Sequence, residues 1–313
     1  MNKIIQGDVI ETLRSLPDGI VHTCVTSPPY WGLRDYGVPG QIGLEPTPEE
    51  YVEKMVKVFR EVRRVLRDDG TLWLNLGDSY TSGGRATRAP DRKNGGREMD
   101  VRPPTPFGLK PKDLVGIPWR VAFALQADGW YLRRDIIWHK PNAMPESVKD
   151  RPTTAHEYIF LMSKRPKYYY DADAIKEDAV YQEKRNGRVG AYQNRAIFHK
   201  GDGTTPTGVA TRDLSKRNKR TVWSVSTKPF KGAHFAVFPP DLIEPCILAG
   251  SPPGGIVLDP FFGSGTTGVV AAKHGRQWIG IELNPEYIQI SRERLGNIKI
   301  VLNEEMDALA KSG

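Results

Sequence analysis

The chain has 313 residues, with 45 Lys and Arg against 37 Asp and Glu, so its formal net charge is +8. Charged residues make up 26% of the sequence and apolar residues 39%, a balance that excludes wholesale disorder as well as fibrous and coiled-coil architectures. Two cysteines cannot form a disulfide framework, and no stretch approaches the about 18 consecutive apolar residues of a membrane span, so we expect a soluble globular protein.

The length and the amino terminus bound the organisation and location of the protein. Domains commonly hold about 150 residues, so the chain has room for one large or two modest domains. The first residues, MNKIIQGD, include no apolar stretch of the kind that signal peptides carry. We therefore expect a cytoplasmic protein that makes no contact with a membrane.

The positive charge is concentrated in two stretches. Residues 176–231 contain 13 Lys and Arg against 5 acidic residues, an excess that equals the net charge of the whole chain. Residues 80–112 contain 8 basic residues against 3 acidic ones and are rich in Gly and Pro. Both stretches are interpreted as loops, which either are solvated and partly disordered or follow a phosphate backbone, and charge alone favours the first interpretation.

Strands and helices alternate along the rest of the chain. In chain order, the apolar patterns predict strands over KIIQGD, HTCVT, TLWLNLGD, WYLRRDIIWHK, HEYIFLMSK, GGIVLDP and QWIGIEL. They predict helices over 9–16, 115–127, 240–249, 266–273 and 285–295, and a long helix that begins at Thr47, with Pro48 at its first position, and ends at Asp69-Gly70. This alternation is typical of an α/β sheet with helices on both faces.

A glycine-rich turn lies between a predicted strand and a predicted helix. Residues 259–268 read DPFFGSGTTG, whose glycines match the G-x-G-x-x-G pattern of nucleotide-binding turns. Glu282 ends the next strand, where such folds hold a ribose hydroxyl. A nicotinamide-dependent oxidoreductase would use the same glycines, but those folds commonly open with this unit, whereas here it begins near residue 256. The sheet must therefore be completed by strands that come earlier in the sequence.

A second motif, TSPPYW at residues 26–31, directly follows the predicted strand HTCVT. Its two prolines remove two backbone donors, which leaves carbonyl oxygens and the Ser27 hydroxyl as acceptors beside the Tyr30 ring. Such acceptors fit the exocyclic amino group of a nucleobase that stacks on Tyr30. Taken alone, the motif favours a plainer interpretation, a proline-rich exit from a strand with a packed tyrosine.

Together the two motifs resemble those of the beta-class amino DNA methyltransferases of bacteria and phages. TSPPYW near the amino terminus is joined to HFAVFPPDLIEPCILAG and DPFFGSGTTG near the carboxyl terminus. The likeness extends through residues 64–78 and 136–164 and leaves only the basic stretches unassigned. In that family the catalytic motif precedes the cofactor motif because the fold is circularly permuted, and the order here is the same.

The resemblance implies a Rossmann-like fold for S-adenosylmethionine-dependent methyl transfer, with a mostly parallel twisted sheet and helices on both faces. It implies a catalytic half over residues 1–175, including a flexible loop at about 81–112. A basic target-recognition insertion is expected over 176–231 and a cofactor-binding half over 232–313. The six histidines show no metal-ligand spacing, so we predict no metal site.

The resemblance also implies roles for individual residues. The catalytic motif comprises Ser27, Pro28, Pro29 and Tyr30. The residues that would bind S-adenosylmethionine are Asp8, Phe235, Phe238, Asp259, Pro260, Phe261, Gly263, Ser264, Gly265, Thr266, Thr267 and Glu282.

Ser at the first position of the catalytic motif is similar to cytosine-N4 enzymes, whereas adenine-N6 enzymes mostly have Asp or Asn. We therefore favour methyl transfer to the N4 amino group of cytosine, with N6-adenine transfer as the alternative and a nicotinamide-dependent oxidoreductase as a more remote one. The target base would be flipped out of duplex DNA, stack on Tyr30 and accept the methyl group by in-line transfer. A cognate restriction endonuclease is an expected partner in a bacterial, archaeal or phage-infected cell, and the protein is expected to be a monomer or homodimer.

Several other signals are assigned no chemical role. Cys246 follows a proline, as the nucleophile of cytosine-C5 enzymes does, but it lies on a predicted helix, so we interpret it, like Cys24, as a core residue. His139 and Lys140 follow a strand and are left out of the predicted site. Trp31 is given equal weight as a neighbour of the target base and as a core residue.

Overall fold

The computed structural model describes residues 2–81, 105–179, 216–227 and 238–296. Over these ranges strands and α-helices alternate along most of the chain, which confirms the predicted α/β class. Their bounds are β1 Asn2–Gln6, α1 Val9–Ser15, β2 Val21–Thr26, α2 Pro48–Val65, β3 Leu66–Leu76, α3 Ile117–Ala127, β4 Tyr131–His139, β5 His156–Ser163, β6 Glu177–Asp178, β7 Lys216–Arg217, β8 Val222–Ser224, α4 Pro240–Gly250, β9 Ile256–Asp259, α5 Thr266–Lys273, β10 Gln277–Glu282 and α6 Pro285–Leu295.

The larger of two compact units comprises residues 1–171 and 220–313, and its centre is an eight-stranded sheet. The strand order is β1-β10-β9-β2-β3-β5-β4-β8. Neighbouring strands are parallel except at β5, which is antiparallel to both β3 and β4. The mostly parallel sheet is as predicted, and the strands of the glycine-rich turn, β9 and β10, lie between the two first strands of the chain.

The smaller unit, residues 172–219, is described over 172–179 and 216–219. Strands β6 and β7 form an antiparallel pair. Lys216 and Arg217 were counted with the basic stretch, yet each forms an ion pair across this ladder, with Asp178 at 2.5 Å and Glu177 at 2.9 Å. Residues 180–215 and 228–231 of that stretch, and most of the loop predicted at 81–112, lie outside the described residues.

Helix α2 forms as its sequence predicts. The Thr47 side chain accepts a hydrogen bond from the Glu50 amide, and Pro48 occupies the first turn. The helix nevertheless ends at Val65, so the prediction that Asp69-Gly70 ends it is wrong. Leu66 is fully buried and pairs with Val21 of β2, and pairing resumes at Thr71 after a bulge. Burial of Leu66 in the sheet therefore determines where the helix stops.

Alternate residues of β3 face opposite layers of helices. Leu72 and Leu74 belong to the core cluster that includes Met55 and Phe59 of α2. On the other face α4 approaches closely, since a Cβ on Gly250 would lie 2.8 Å from the Trp73 side chain. The sheet therefore carries helices on both faces, as predicted.

The glycine-rich turn is seated on the sheet through Phe262. This buried ring stacks on Trp278, with ring centroids 5.2 Å apart. It also lies directly over Gly280, where an added Cβ would fall 2.3 Å from the ring. The turn can approach β10 this closely because residue 280 has no side chain.

Gly280→Ala should therefore lower the free energy of unfolding by roughly 1–3 kcal/mol, because the added methyl group overpacks the Phe262 ring. Phe262→Leu should also destabilise the fold, since it removes buried aromatic contacts. The double variant should cost less than the sum of the two, by about 0.5–2 kcal/mol, because the smaller leucine makes room for the methyl group. Urea unfolding of all four proteins measures this coupling, and strict additivity would contradict the packing described.

Candidate functional site

The two motifs identified in the sequence meet at one edge of the sheet. β2 ends at Thr26 and is followed by the SPPY segment, residues 27–30, while β9 ends at Asp259 and is followed by the Gly-rich loop, residues 260–265. These two strands are neighbours and parallel, so their carboxyl ends lie side by side. Open α/β sheets bind their ligands at this edge.

The Asp259 carboxylate joins the two motifs. It accepts hydrogen bonds from the Thr26 hydroxyl at 2.6 Å, the Thr267 hydroxyl at 2.7 Å and the Phe261 amide at 3.1 Å. The side chain is fully buried, and burial raises the pKa of Asp259 to about 6, although these three hydrogen bonds oppose the shift. One buried acid therefore holds the end of β2, the Gly-rich loop and the first turn of α5 together.

The Gly-rich loop is held from the protein side by a residue that sequence analysis did not identify. Arg294 of α6 donates to the Ser264 hydroxyl at 2.6 Å, the Ser264 carbonyl at 2.9 Å and the Thr266 hydroxyl at 2.9 Å. Gly263 and Gly265 have φ angles of 51° and 79°, which glycine adopts without strain. The hydroxyls of Ser264 and Thr266 therefore stabilise the loop itself.

Glu282 lies at the end of β10 and faces the same loop. One of its carboxylate oxygens accepts from the Gly263 amide at 2.7 Å and the other from the Asn284 amide at 2.8 Å. Burial raises the pKa of Glu282 above its ordinary value. Each oxygen has a further lone pair that could accept a hydrogen bond from a ligand hydroxyl.

Both motifs contribute to the wall of a single open cleft, whose empty space of about 930 Å³ includes the solvent at its mouth. The predicted site residues that line it are Asp8, Ser27, Pro29, Phe238, Asp259, Pro260, Phe261, Gly263, Ser264, Thr266 and Glu282. Four others, Pro28, Tyr30, Gly265 and Thr267, lie in the same segments but are not among the lining residues. Phe235 falls outside the described part of the chain. The structure thus brings most of the predicted residues together.

Part of the cleft wall carries no motif and was missed. It is formed by the loop that contains Tyr36 and Gln41, whose side chain accepts a hydrogen bond from the Tyr36 amide at 2.7 Å. Tyr36 contacts Tyr287 of α6 edge to face, with ring centroids 6.2 Å apart. No spacing of apolar or charged residues in this loop distinguishes it from an ordinary surface connection.

A polar network lies behind the SPPY segment. The Tyr30 hydroxyl contacts Glu157 of β5 at 2.7 Å, Asn75 of β3 at 3.2 Å and Ser27 at 3.3 Å. Glu157 also forms an ion pair with Lys140. Lys140 was left out of the predicted site, and neither Asn75 nor Glu157 was predicted. Asn75 interrupts the apolar run LWLNL of β3, which was a visible signal, whereas Glu157 follows His156 at the polar start of β5 and gives no such signal.

The remaining signals have structural roles. Trp31 is buried and donates to the Glu45 carbonyl at 2.8 Å, so it belongs to the core. Cys24 and Cys246 are both buried, in agreement with their interpretation as core residues. Within the ranges that the structure describes, no group of three or more His, Cys, Asp or Glu side chains could hold a metal ion.

Comparison with known proteins agrees with this geometry. A family model described as DNA methylase, which covers N6 and N4 methyltransferases, matches residues 21–293. The chain belongs to this DNA methylase family. It is a DNA methyltransferase of the group that acts on exocyclic amino nitrogens, and S-adenosylmethionine is its methyl donor.

Two relatives and two solved structures illustrate the likeness. This methyltransferase is 57% identical to the Type II methyltransferase M.Cfr9I of Citrobacter freundii over 93% of its own length and 87% of that protein, and 56% identical to M.SmaI of Serratia marcescens over 94% and 90%. TTHA0409 of Thermus thermophilus, solved in complex with S-adenosyl-L-methionine, has a TM-score of 0.58 and 26% identity over 96% and 98% of the two chains. The cytosine-N4-specific PvuII DNA methyltransferase has a TM-score of 0.64, over 96% and 89%, at 22% identity.

The residues of the cleft fit the methyl donor. Glu282 offers carboxylate lone pairs at the end of β10, where Rossmann-like folds bind ribose hydroxyls, and the apolar side chains of Val9, Ile281 and Phe261 line the same cleft and suit an aromatic ring such as adenine. None of the helices within the described ranges of this methyltransferase has the length and apolar composition of a membrane span.

The raised pKa of Asp259 has a consequence for stability. The folded chain holds a proton on this acid up to about pH 6, whereas the unfolded chain releases it near 3.8, so the folded state binds more protons between these values. The contribution of this proton to the free energy of unfolding is complete below about pH 4 and is lost as the pH rises through 6. The free energy of unfolding should therefore fall by roughly 3 kcal/mol over this range. In Asp259→Asn this fall should be missing. Urea unfolding at several pH values measures it, and parallel curves for the two proteins would contradict the assignment.

Proposed function

We propose that this protein transfers a methyl group from S-adenosylmethionine to the exocyclic N4 amino group of cytosine in duplex DNA. The observation that carries the proposal is that Ser27 and Pro29 line the same cleft as Phe261, Gly263 and Glu282. An acceptor for a base amine thereby faces the residues that fit the methyl donor. Serine at the first position of the SPPY segment favours cytosine over adenine as the target.

The SPPY segment supplies the acceptors for the target amine. The Pro29 carbonyl already accepts a hydrogen bond from the Tyr51 hydroxyl at 2.8 Å. Pro28 is not among the lining residues but lies between Ser27 and Pro29, which are, and we assign the Ser27 hydroxyl and the Pro28 carbonyl as the acceptors of the two amino protons. Hydrogen bonds to both protons favour the pyramidal form of the nitrogen, whose lone pair can attack in line. Ser27 is a weak base, so the proton leaves towards water after transfer.

The methyl donor, when bound, supplies an electrophilic sulfonium methyl group, so the protein needs no covalent nucleophile. We assign Glu282 to the ribose hydroxyls and Asp8 to the adenine. Phe238 belongs to the segment assigned to the methionine end of the donor. The task of these residues is to orient the donor, while Asp259 acts on the protein scaffold through Thr26 and Thr267.

DNA recognition is assigned to the basic stretches, which lie mostly outside the described residues. Opening a duplex to expose a cytosine costs a few kcal/mol, which phosphate and base contacts must offset. Residues 176–231 are proposed to form the target-recognition region. Because the similar proteins from Citrobacter freundii and Serratia marcescens are Type II methyltransferases, a cognate endonuclease is the expected partner of this chain as well.

The product of the reaction tests the proposal directly. The full-length protein is incubated with labelled S-adenosylmethionine and duplex DNA, and the DNA is then digested to nucleosides and analysed by mass spectrometry. We expect 4-methylcytosine, and its formation should fall by roughly 10²-fold or more in Ser27→Ala, which removes an acceptor at the reacting nitrogen. N6-methyladenine as the sole product would replace cytosine with adenine as the target, and the absence of any methylated base would overturn the proposal.

The role of Glu282 predicts a separable effect on the methyl donor. Glu282→Gln should weaken binding of S-adenosylmethionine by roughly 10- to 100-fold, because the ribose hydroxyls lose hydrogen bonds to a charged acceptor. Isothermal titration of the donor measures the dissociation constant. Glu286→Gln is the matched control, since Glu286 is an exposed residue of the same region and does not line the cleft. Equal affinities for the two variants would remove the ribose assignment.

A further inference from the structure

The network behind the SPPY segment plays no part in the reaction as proposed so far. Its central atom is the Tyr30 hydroxyl oxygen, which lies 2.7 Å from Glu157 and 3.3 Å from Ser27. Tyr30 has one proton to donate, whereas it has several polar neighbours. The direction of each hydrogen bond therefore has to be decided from the chemistry of the partners.

The charge state of Glu157 determines the direction of its hydrogen bond with Tyr30. One carboxylate oxygen of Glu157 is paired with Lys140, and the other accepts from the Asn75 amide nitrogen at 3.1 Å and from Tyr30. A carboxylate paired with a lysine has no proton to give, so Tyr30 is the donor in its contact with Glu157. Burial and the neighbouring negative charge raise the pKa of Tyr30 well above its ordinary value, which keeps the phenol protonated.

The direction of the hydrogen bond between Tyr30 and Glu157 determines the direction of the hydrogen bond between Tyr30 and Ser27. Because the Tyr30 proton is committed to the acid, the Tyr30 oxygen can only accept in its contact with Ser27. The Ser27 proton consequently points away from the cleft, and the lone pairs of its oxygen remain for a ligand in the cleft. Lys140 contributes by holding the acid from the far side, with its ammonium group 4.3 Å from the centre of the Trp138 ring.

We propose that Glu157, held by Lys140, is a positioning residue that makes the Ser27 hydroxyl an acceptor and thereby selects bases that carry an amino group. A cytosine or adenine amine donates to such an oxygen, whereas the keto oxygen of uracil or hypoxanthine meets only lone pairs. The inference deepens the proposed function and rests on it, since it requires a nucleobase amine in the cleft. The Ser27 oxygen would select its base by repelling a keto oxygen as well as by accepting a hydrogen bond from an amino group.

Glu157→Gln is the decisive variant because it preserves shape while reversing polarity. Lys140 can only donate, so the new amide turns its oxygen towards Lys140 and its NH₂ group towards Tyr30. The Asn75 amide, which donates to Glu157 and accepts from Tyr30 in the wild type, then turns its oxygen towards the new NH₂ group, which leaves Ser27 as the acceptor of the Tyr30 proton. The Ser27 proton consequently turns to the cleft. Single-turnover methylation should fall roughly 10- to 100-fold, whereas the affinity for S-adenosylmethionine should be unchanged, since Glu157 does not line the cleft.

The readout that a purely structural role would not move is the choice between amino and keto bases. Duplexes are prepared with the site that the wild-type protein methylates, and the target base is either left in place or replaced by its keto analogue, uracil for cytosine or hypoxanthine for adenine. Binding is measured with S-adenosylhomocysteine present, so that no transfer occurs. We expect the ratio of the two affinities to fall by roughly tenfold in Glu157→Gln relative to the wild type.

Two further variants control the experiment. Tyr30→Phe keeps the ring but removes the acceptor of the Ser27 proton, so it should lower the ratio as Glu157→Gln does, and the double variant should show no additional loss. Glu244→Gln removes another lysine-paired acid, one that lies on α4 and contacts Lys273 and His274, and it should behave as the wild type.

The outcomes separate the inference from the proposed function. A wild-type protein that methylates no DNA would overturn the proposed function itself. A wild-type protein that methylates DNA, with variants that keep its preference for the amino base or lose affinity for both bases equally, would overturn only the positioning role. Should Glu157→Gln fail to fold, Tyr30→Phe alone decides the question, because it leaves Glu157 and Lys140 in place.

Discussion

The site depends on one buried interaction, the hydrogen bonds that Asp259 accepts from Thr26 and Thr267. Thr26 is the last residue of β2 and precedes Ser27, while Thr267 lies in the first turn of α5, beyond the Gly-rich loop. The two threonines are far apart in the sequence, yet their hydroxyls bond to the same carboxylate. Burial of an acid opposes ionisation, as the pKa of about 6 indicates, so the fold retains an element that is unfavourable at neutral pH. Its use is geometric, because it sets the distance between the two motifs.

The Gly-rich loop is organised by contacts within the protein. Arg294 of α6 donates hydrogen bonds to the hydroxyls of Ser264 and Thr266, and the Phe262 ring anchors the loop on β10 over Gly280. A loop that is ordered in this way loses little conformational freedom when a ligand binds, which favours affinity. Two polar residues that were predicted to bind S-adenosylmethionine, Ser264 and Thr266, therefore already have hydrogen-bond partners within the protein.

A feature of this fold or site could be predicted from the sequence when it depends on residues close together in the chain. The strand and helix alternation is visible because each element carries its own apolar period, and the SPPY segment and the glycines are visible because their residue types restrict the backbone within a few positions. The end of α2 was misplaced because the burial of Leu66 against β2, and not the local Asp69-Gly70 signal, decides it. Glu157 and Arg294 were missed for the same reason, since Glu157 reaches Tyr30 across 127 residues and Arg294 reaches Ser264 across 30.

The two acids act on opposite ends of one short segment. Asp259 holds Thr26, immediately before Ser27, and Glu157 holds Tyr30, three residues after it. The prolines between these anchors restrict the backbone dihedral angles, so few conformations of the segment satisfy both ends. The first anchor determines where the Ser27 hydroxyl lies and the second, by the proposed direction of its hydrogen bonds, determines which way the proton points. Position and polarity would then be set by different strands, β9 and β5, on either side of the β2 and β3 pair, so substitution of one acid could change one property without the other.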